Sequence, residues 1–226
     1  MNDPSFLPFH RTAGVGASRF VSDPADLACV FDPEVQVVCL RREPDPDISR
    51  RLDLLARQGQ LVNGFRTRVP APEGGPAHGL PDSPLADAVG VDVAGLQELF
   101  ADLIGCPAMG VRLELISRAM CPRFHVDKVG LRLLCTYRGA ATEWLDDRAA
   151  DRGKPGAGAD WPADPSSGLA QDAAGILQAA PFDLVLLKGC AWPGNERLGA
   201  IHRSPAVTAD EAPRVLLAID GLWMDD

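Results

Sequence analysis

Cys121-Pro122-Arg123-Phe124-His125-Val126-Asp127 is the stretch on which the reading of this chain turns. On an extended strand, residues two apart project to the same face, so His125 and Asp127 present an imidazole and a carboxylate together. Far along the chain stands Ile201-His202-Arg203-Ser204-Pro205, followed by Arg214. Two imidazoles and one carboxylate on one side of a metal leave the opposite positions open for substrate and oxygen, as in non-haem iron(II) sites. Arg214 opens the next apolar run, where a planar guanidinium can grip the far carboxylate of a 2-oxo acid with two prongs.

Each part alone has an ordinary reading. A single His-x-Asp is commonly a solvated pair, His202 a loop histidine before Ser204-Pro205, and Arg214 an ion-pair partner for Asp210, Glu211 or Asp220. The ordered set, embedded in strands, favours a metal centre. Zinc with a bound water on His125, Asp127 and His202 is the alternative metal, since imidazole and carboxylate suit it too. A thiolate-rich zinc site would have to gather Cys121, His125, Cys135, Cys190 and His202 without any tight paired spacing. A nucleophilic Cys121 or Cys190 beside a histidine has no local signature to support it. Cys121, Tyr137, Thr142, Trp144, Lys188 and Arg203 are expected around the centre, orienting ligands or facing substrate.

The chain has 226 residues, 46% hydrophobic and 23% charged, enough for one large domain or a domain with an extension. Its net charge of −9 argues against a phosphate-binding surface and against docking on an anionic membrane. No apolar run approaches the roughly 20 residues that span a bilayer. Met1-Asn2-Asp3-Pro4 lacks the basic flank of a signal peptide. A cytoplasmic protein is expected, without nucleic-acid or membrane partners, acting on an unspecified small-molecule or protein substrate. The six cysteines are scattered and read as thiols.

Residues 1–65 read as an α/β extension, 66–84 as a Pro/Gly-rich linker, and 85–226 as a helix plus a β-rich domain. Val35 to Leu40 is β-branched and apolar, which predicts a buried strand. Ile48, Leu52 and Leu55 predict a helix opened at Asp47. Val93, Leu96, Leu99, Phe100 and Leu103 form the stripe of a second helix over 85–104, stopped by Gly105. Strands are expected over 111–116, 182–189 and 214–220, with a strand pair or one long bent strand over 124–137. The Asp/Gly/Pro/Ala-rich stretch 146–175 reads as a lid or an insertion. These elements predict an α+β chain with a double-stranded β-helix core, jelly-roll or cupin-like, and N-terminal helices packed against it.

Several motifs together resemble the bacterial domain-of-unknown-function family 1826: Cys121-x-x-Phe124-His125-x-Asp127, Leu131 to Gly139, Thr142-Glu143-Trp144-Leu145, Leu187-Lys188-Gly189-x-x-Trp192-Pro193 and His202-Arg203-Ser204-Pro205. That resemblance implies an association with zinc homeostasis and brings no established activity. A more distant similarity is to the iron(II)/2-oxoglutarate dioxygenases. It implies His125, Asp127 and His202 as iron(II) ligands and Arg214 as the anchor of 2-oxoglutarate. In those enzymes a glycine-bearing turn often follows the first ligand strand; here the segment is Gly139-Ala140-Ala141, a departure in the lid region rather than at the ligands.

Overall fold

The computed structural model describes residues 17–71, 80–118, 120–154, 156–157, 167–209 and 212–223. Among them run β1 (Ala17–Val21), β2 (Val35–Leu40), α1 (Pro46–Arg57), β3 (Phe65–Pro70), α2 (Pro84–Ile104) and β4 (Ala108–Ile116). Then follow β5 (Leu131–Arg138), β6 (Glu143–Leu145), β7 (Ile176–Gln178), β8 (Leu184–Lys188), β9 (His202–Arg203) and β10 (Arg214–Leu222). Seven strands form one sheet in the order β1-β2-β8-β5-β10-β4-β3, and β7-β6-β9 form a second. The chain is α+β, as expected.

Local chemistry explains the elements that position the site. The Asp45 carboxylate caps α1 by accepting from the Asp47 and Ile48 N–H groups, and Ile48, Leu52 and Leu55 are its buried stripe. Ser83 caps α2, Pro84 begins it, and Gly105 in the left-handed region at φ 62° ends it. Both helices pack on one face of the large sheet, burying Leu52, Val89, Val93 and Phe100 against Leu113, Leu133, Leu217 and Ile219. Each such side chain removed from water is worth about 1.5–3 kcal/mol.

The other face of the large sheet meets the small one. Trp144 and Ala200 pack against Val37, Cys39, Leu134, Val185, Leu187 and Ala218. Strand parity therefore sorts side chains cleanly. On β5, Leu131, Leu133, Cys135 and Tyr137 face the helices, whereas Arg132 and Leu134 face the opposite side. On β10, Val215, Leu217 and Ile219 face the helices, and Arg214, Leu216 and Ala218 do not.

β1 and β2, from the expected extension, form one edge region of the large sheet, and β3, at the start of the expected linker, pairs with β4 from Phe65 to Pro70. Residues 1–16 and 72–79 of the expected extension and linker lie outside the described residues. No continuous strand runs over 124–137. Instead, the His125 carbonyl accepts from His202, and three carbonyls accept from the turn after β8: Gly130 from Gly189, Asp127 from Cys190 and Val129 from Ala191. The His202 strand pairs with β6, and the Ala200 N–H donates to the Lys188 carbonyl at 2.8 Å.

The stretch 146–175 reads from the sequence as a lid or an insertion, and none of its described residues lines the cavity described below. Ala157 and Leu169 pack with Phe124, Val126, Leu145 and Ile201, and Ala150 and Ala170 form a β-bridge. Arg152 donates to both carboxylate oxygens of Asp147 and to the Gly199 carbonyl at 2.7 Å. Residues 155 and 158–166 lie outside the described residues.

Candidate metal centre

His125 and His202 meet across a two-residue antiparallel bridge in which each N–H donates to the other's carbonyl, at 3.0 and 2.9 Å. The bridge is extended by Ser204 donating to the Cys121 carbonyl and Leu145 donating to the Ile201 carbonyl, both at 2.8 Å. The ring centroids lie 4.5 Å apart. Asp127 is seated by the turn after β8, whose Cys190 N–H donates to its carbonyl at 3.0 Å. That seating requires Gly189: a Cβ there would collide with the Val129 carbonyl and lie 2.6 Å from the Asp127 carbonyl oxygen.

The ring orientations follow from the backbone. Nδ1 of His125 lies 2.9 Å from the Arg123 carbonyl, and Nδ1 of His202 lies 3.0 Å from the Ala200 carbonyl. A carbonyl only accepts, so both Nδ1 atoms carry hydrogen. In the neutral rings this leaves Nε2 with its lone pair, and both Nε2 atoms aim at the Asp127 carboxylate, at 3.5 and 3.2 Å. One ligand atom from each of the three residues lies within 4.8 Å of the others. Such a carbonyl–imidazole bond is the usual support of a metal-binding histidine.

Electrostatics agree with the geometry. Burial raises the Asp127 carboxyl, but hydrogen bonds from His125 and His202 and the charges of His202 and Arg132 outweigh it, holding the group well below the usual carboxylate range. Burial disfavours charge on His125, yet the hydrogen bonds to Asp127 and to the Arg123 carbonyl win and raise it above its ordinary 6.5.

The triad opens on a cavity of about 320 Å³. Arg214 lies on its wall, 1% exposed, donating to Ser204 Oγ at 2.9 Å and Thr136 Oγ1 at 3.3 Å. Cys121, Thr142 and Arg203 also line it. Arg203 donates to Glu143 at 2.6 Å and lies over the Phe124 ring. Burial, followed by the negative charges of Asp127 and Glu114, pushes the Cys121 thiol up.

Three expected residues sit elsewhere. Tyr137 points to the helical face, where its hydroxyl donates to Asp92 at 2.7 Å. Lys188, also of helix-facing parity on β8, donates to the Asp32 carbonyl at 2.7 Å. Trp144 is buried between the sheets, its indole N–H donating to Ser18 at 3.0 Å. The thiolate-rich alternative fails for the same reason of parity: Cys135 faces the helical core, and among the described residues the groupings of possible metal ligands contain no cysteine.

Arg132, Asp220, Arg112 and Glu114 were not expected, and they form the polar wall beside Asp127. Arg132 Nη1 donates to the Asp127 carboxylate, and its Nε and Nη2 grip Asp220 at 2.6 and 2.9 Å. Arg112 adds a bond to Asp220 at 3.1 Å. Charged residues interrupting apolar strands at site-facing parity were the available signal.

Similarity to solved structures accords with this architecture. TqaL, an Fe(II)/(alpha)ketoglutarate-dependent dioxygenase, matches at 9% identity with a TM-score of 0.52, covering 88% of this chain and 86% of that one. The rice dioxygenase for auxin oxidation matches at 15% identity and a TM-score of 0.47, covering 93% and 84%. A Pseudomonas putida prolyl-4-hydroxylase matches at 12% and 0.45, covering 91% and 97%. No curated protein sequence matches this chain. The model of one family, described as "Protein of unknown function (DUF1826)", matches residues 21–220, and the chain belongs to that family.

Proposed function

We propose that the protein is an iron(II)/2-oxoglutarate-dependent oxygenase built on a double-stranded β-helix core. The observation that carries this reading is the convergence of His125, Asp127 and His202 on one point of a cavity whose wall holds a buried arginine. The donor set fits iron(II): two neutral imidazoles and a carboxylate, with the opposite side left to the cavity. The cavity also fits 2-oxoglutarate. Arg214, steadied by Ser204 and Thr136, offers a fixed cationic fork for its distal carboxylate. When bound, the iron and its cosubstrate supply the oxygen-activating chemistry. The chain's residues position, desolvate and balance charge. His125 and His202 present Nε2 in a set direction, Asp127 supplies the negative charge, and Leu134, Leu216 and Ala218 keep the inner wall apolar. The substrate is a small molecule or a protein side chain admitted past Met120 and Cys121.

An anaerobic titration of metal-free protein with iron(II) and then 2-oxoglutarate tests the reading through the weak visible charge-transfer band of the chelate. A saturable band is expected, absent in His125→Ala and Asp127→Ala. Arg214→Leu is expected to bind iron normally and to lose about 2–5 kcal/mol of cosubstrate binding. Tight zinc binding with no cosubstrate-dependent band would sink the oxygenase.

A further inference from the structure

We propose that Arg132 is a positioning residue that tunes the metal: held by Asp220, its guanidinium fixes a permanent positive charge against the Asp127 carboxylate and biases bound iron toward the ferrous state. The proposal rests on the metal-site reading above and deepens it.

The sheet itself sets this arrangement. Arg132 on β5 and Asp220 on β10 are direct partners in the antiparallel register, so their side chains emerge side by side on the site face. Asp220 takes the Nε and Nη2 edge of the guanidinium in a two-pronged pair, which leaves Nη1 aimed at Asp127. Arg112, from the strand on the other side of β10, donates to the same Asp220 and keeps it from rotating away. All four side chains are only 15–20% exposed, so water screens them weakly.

Two consequences follow for a metal at the triad. A guanidinium cannot give up its proton in a protein, so its charge is constant across the working pH range. A carboxylate that shares its charge with a cation donates less to a metal. A fixed positive charge beside the site also raises the energy of a trivalent ion more than that of a divalent one. Asp220 opposes the effect with its own negative charge. Arg132 and Asp220 thus act on the metal with opposite signs while forming the same structural bond between β5 and β10. A purely structural pair would show no such opposition.

The test uses the full chain loaded anaerobically with iron(II) and poised with mediator dyes, the ferric fraction being read by electron paramagnetic resonance. Iron binding by the unaltered protein is measured first; if it holds no iron, the metal-site reading fails and this proposal with it. Given binding, Arg132→Gln is expected to raise the ferric-to-ferrous ratio at a fixed potential by at least about tenfold, and Asp220→Asn to lower it. Arg132→Lys, which keeps the charge and loses the fork, is expected to stay near the unaltered protein. Shifts of the same sign in Arg132→Gln and Asp220→Asn, or no shift in either, would overturn the tuning role and leave the metal site standing. Should Arg132→Gln fail to fold, the Asp220→Asn shift decides alone: a lower ratio supports the proposal, and an unchanged or higher one overturns it.

Discussion

At His125 the proton and the metal compete for one atom, Nε2, because Nδ1 is committed to the Arg123 carbonyl. The raised proton affinity of that ring means a divalent metal must displace a proton over a wider range than at a free histidine. Metal affinity is therefore expected to fall as the pH drops from about 8 to about 6, by up to about tenfold per unit for each proton displaced. Titrations across that range check it, and a flat profile would contradict it. In the metal-free chain the same groups act on stability with opposite signs. The depressed Asp127 contributes stability that is present above the unfolded carboxylate value of about 3.9 and lost in acid. The raised His125 contributes stability present below 6.5 and lost as the pH rises through its folded value. The convergence of His125, Asp127 and His202 was legible in the sequence because a His and an Asp two apart, followed by a distant His, is a pattern that suits a metal. Tyr137 and Lys188 misled because proximity in sequence to the ligands says nothing about which face of a strand a side chain takes.

At the scale of elements, the turn after β8 does the work expected of a strand. Its N–H groups occupy the carbonyls of 127, 129 and 130, so the loop bearing Asp127 is fixed by a neighbour rather than by its own pairing. Adding one methyl at Gly189 would push two backbone segments apart. Gly189→Ala is expected to cost about 1–3 kcal/mol of stability in chemical denaturation, and to weaken metal binding in parallel because Asp127 moves with the loop. Undiminished metal affinity in a destabilised Gly189→Ala protein would show that Asp127 is held from elsewhere. Helices α1 and α2 and strands β2, β8 and β10 were readable from periodicity, since each buries an apolar stripe or run. Segment 121–130 was not, because its partners lie some sixty to eighty residues away and leave no local pattern. The close approach at Gly189 carried only one local mark, a glycine ending an apolar run.

Across the whole molecule, the N-terminal strands belong to the same sheet as the site, so the chain is expected to unfold as one unit. Leu217, fully buried at the centre of β10, contacts the helical core. Leu217→Ala is expected to cost about 2–5 kcal/mol, with loss of fluorescence structure and release of bound metal at one common midpoint. Separate midpoints would indicate a metal site that survives the core. The α+β class was legible from the alternation of patterns along the chain. The joining of residues 17–70 to the main sheet was not, because strand partnership over such distances is decided by register and not by composition. Among the described residues no helix is long and apolar enough to cross a membrane.

The strand order has a further consequence, for the time at which the centre comes into being. Strand β10 is the last in sequence of those described, yet it lies between β5 and β4 in the middle of the large sheet. A ribosome delivers His125 and Asp127 well before it delivers Arg214 and Asp220, with His202 close ahead of Arg214. Until β10 slots into place, β4 and β5 present open edges, and Arg132, which donates to Asp127, lacks its Asp220 anchor. A nascent chain that carries His125, Asp127 and His202 therefore still lacks the finished wall beside them until β10 has inserted.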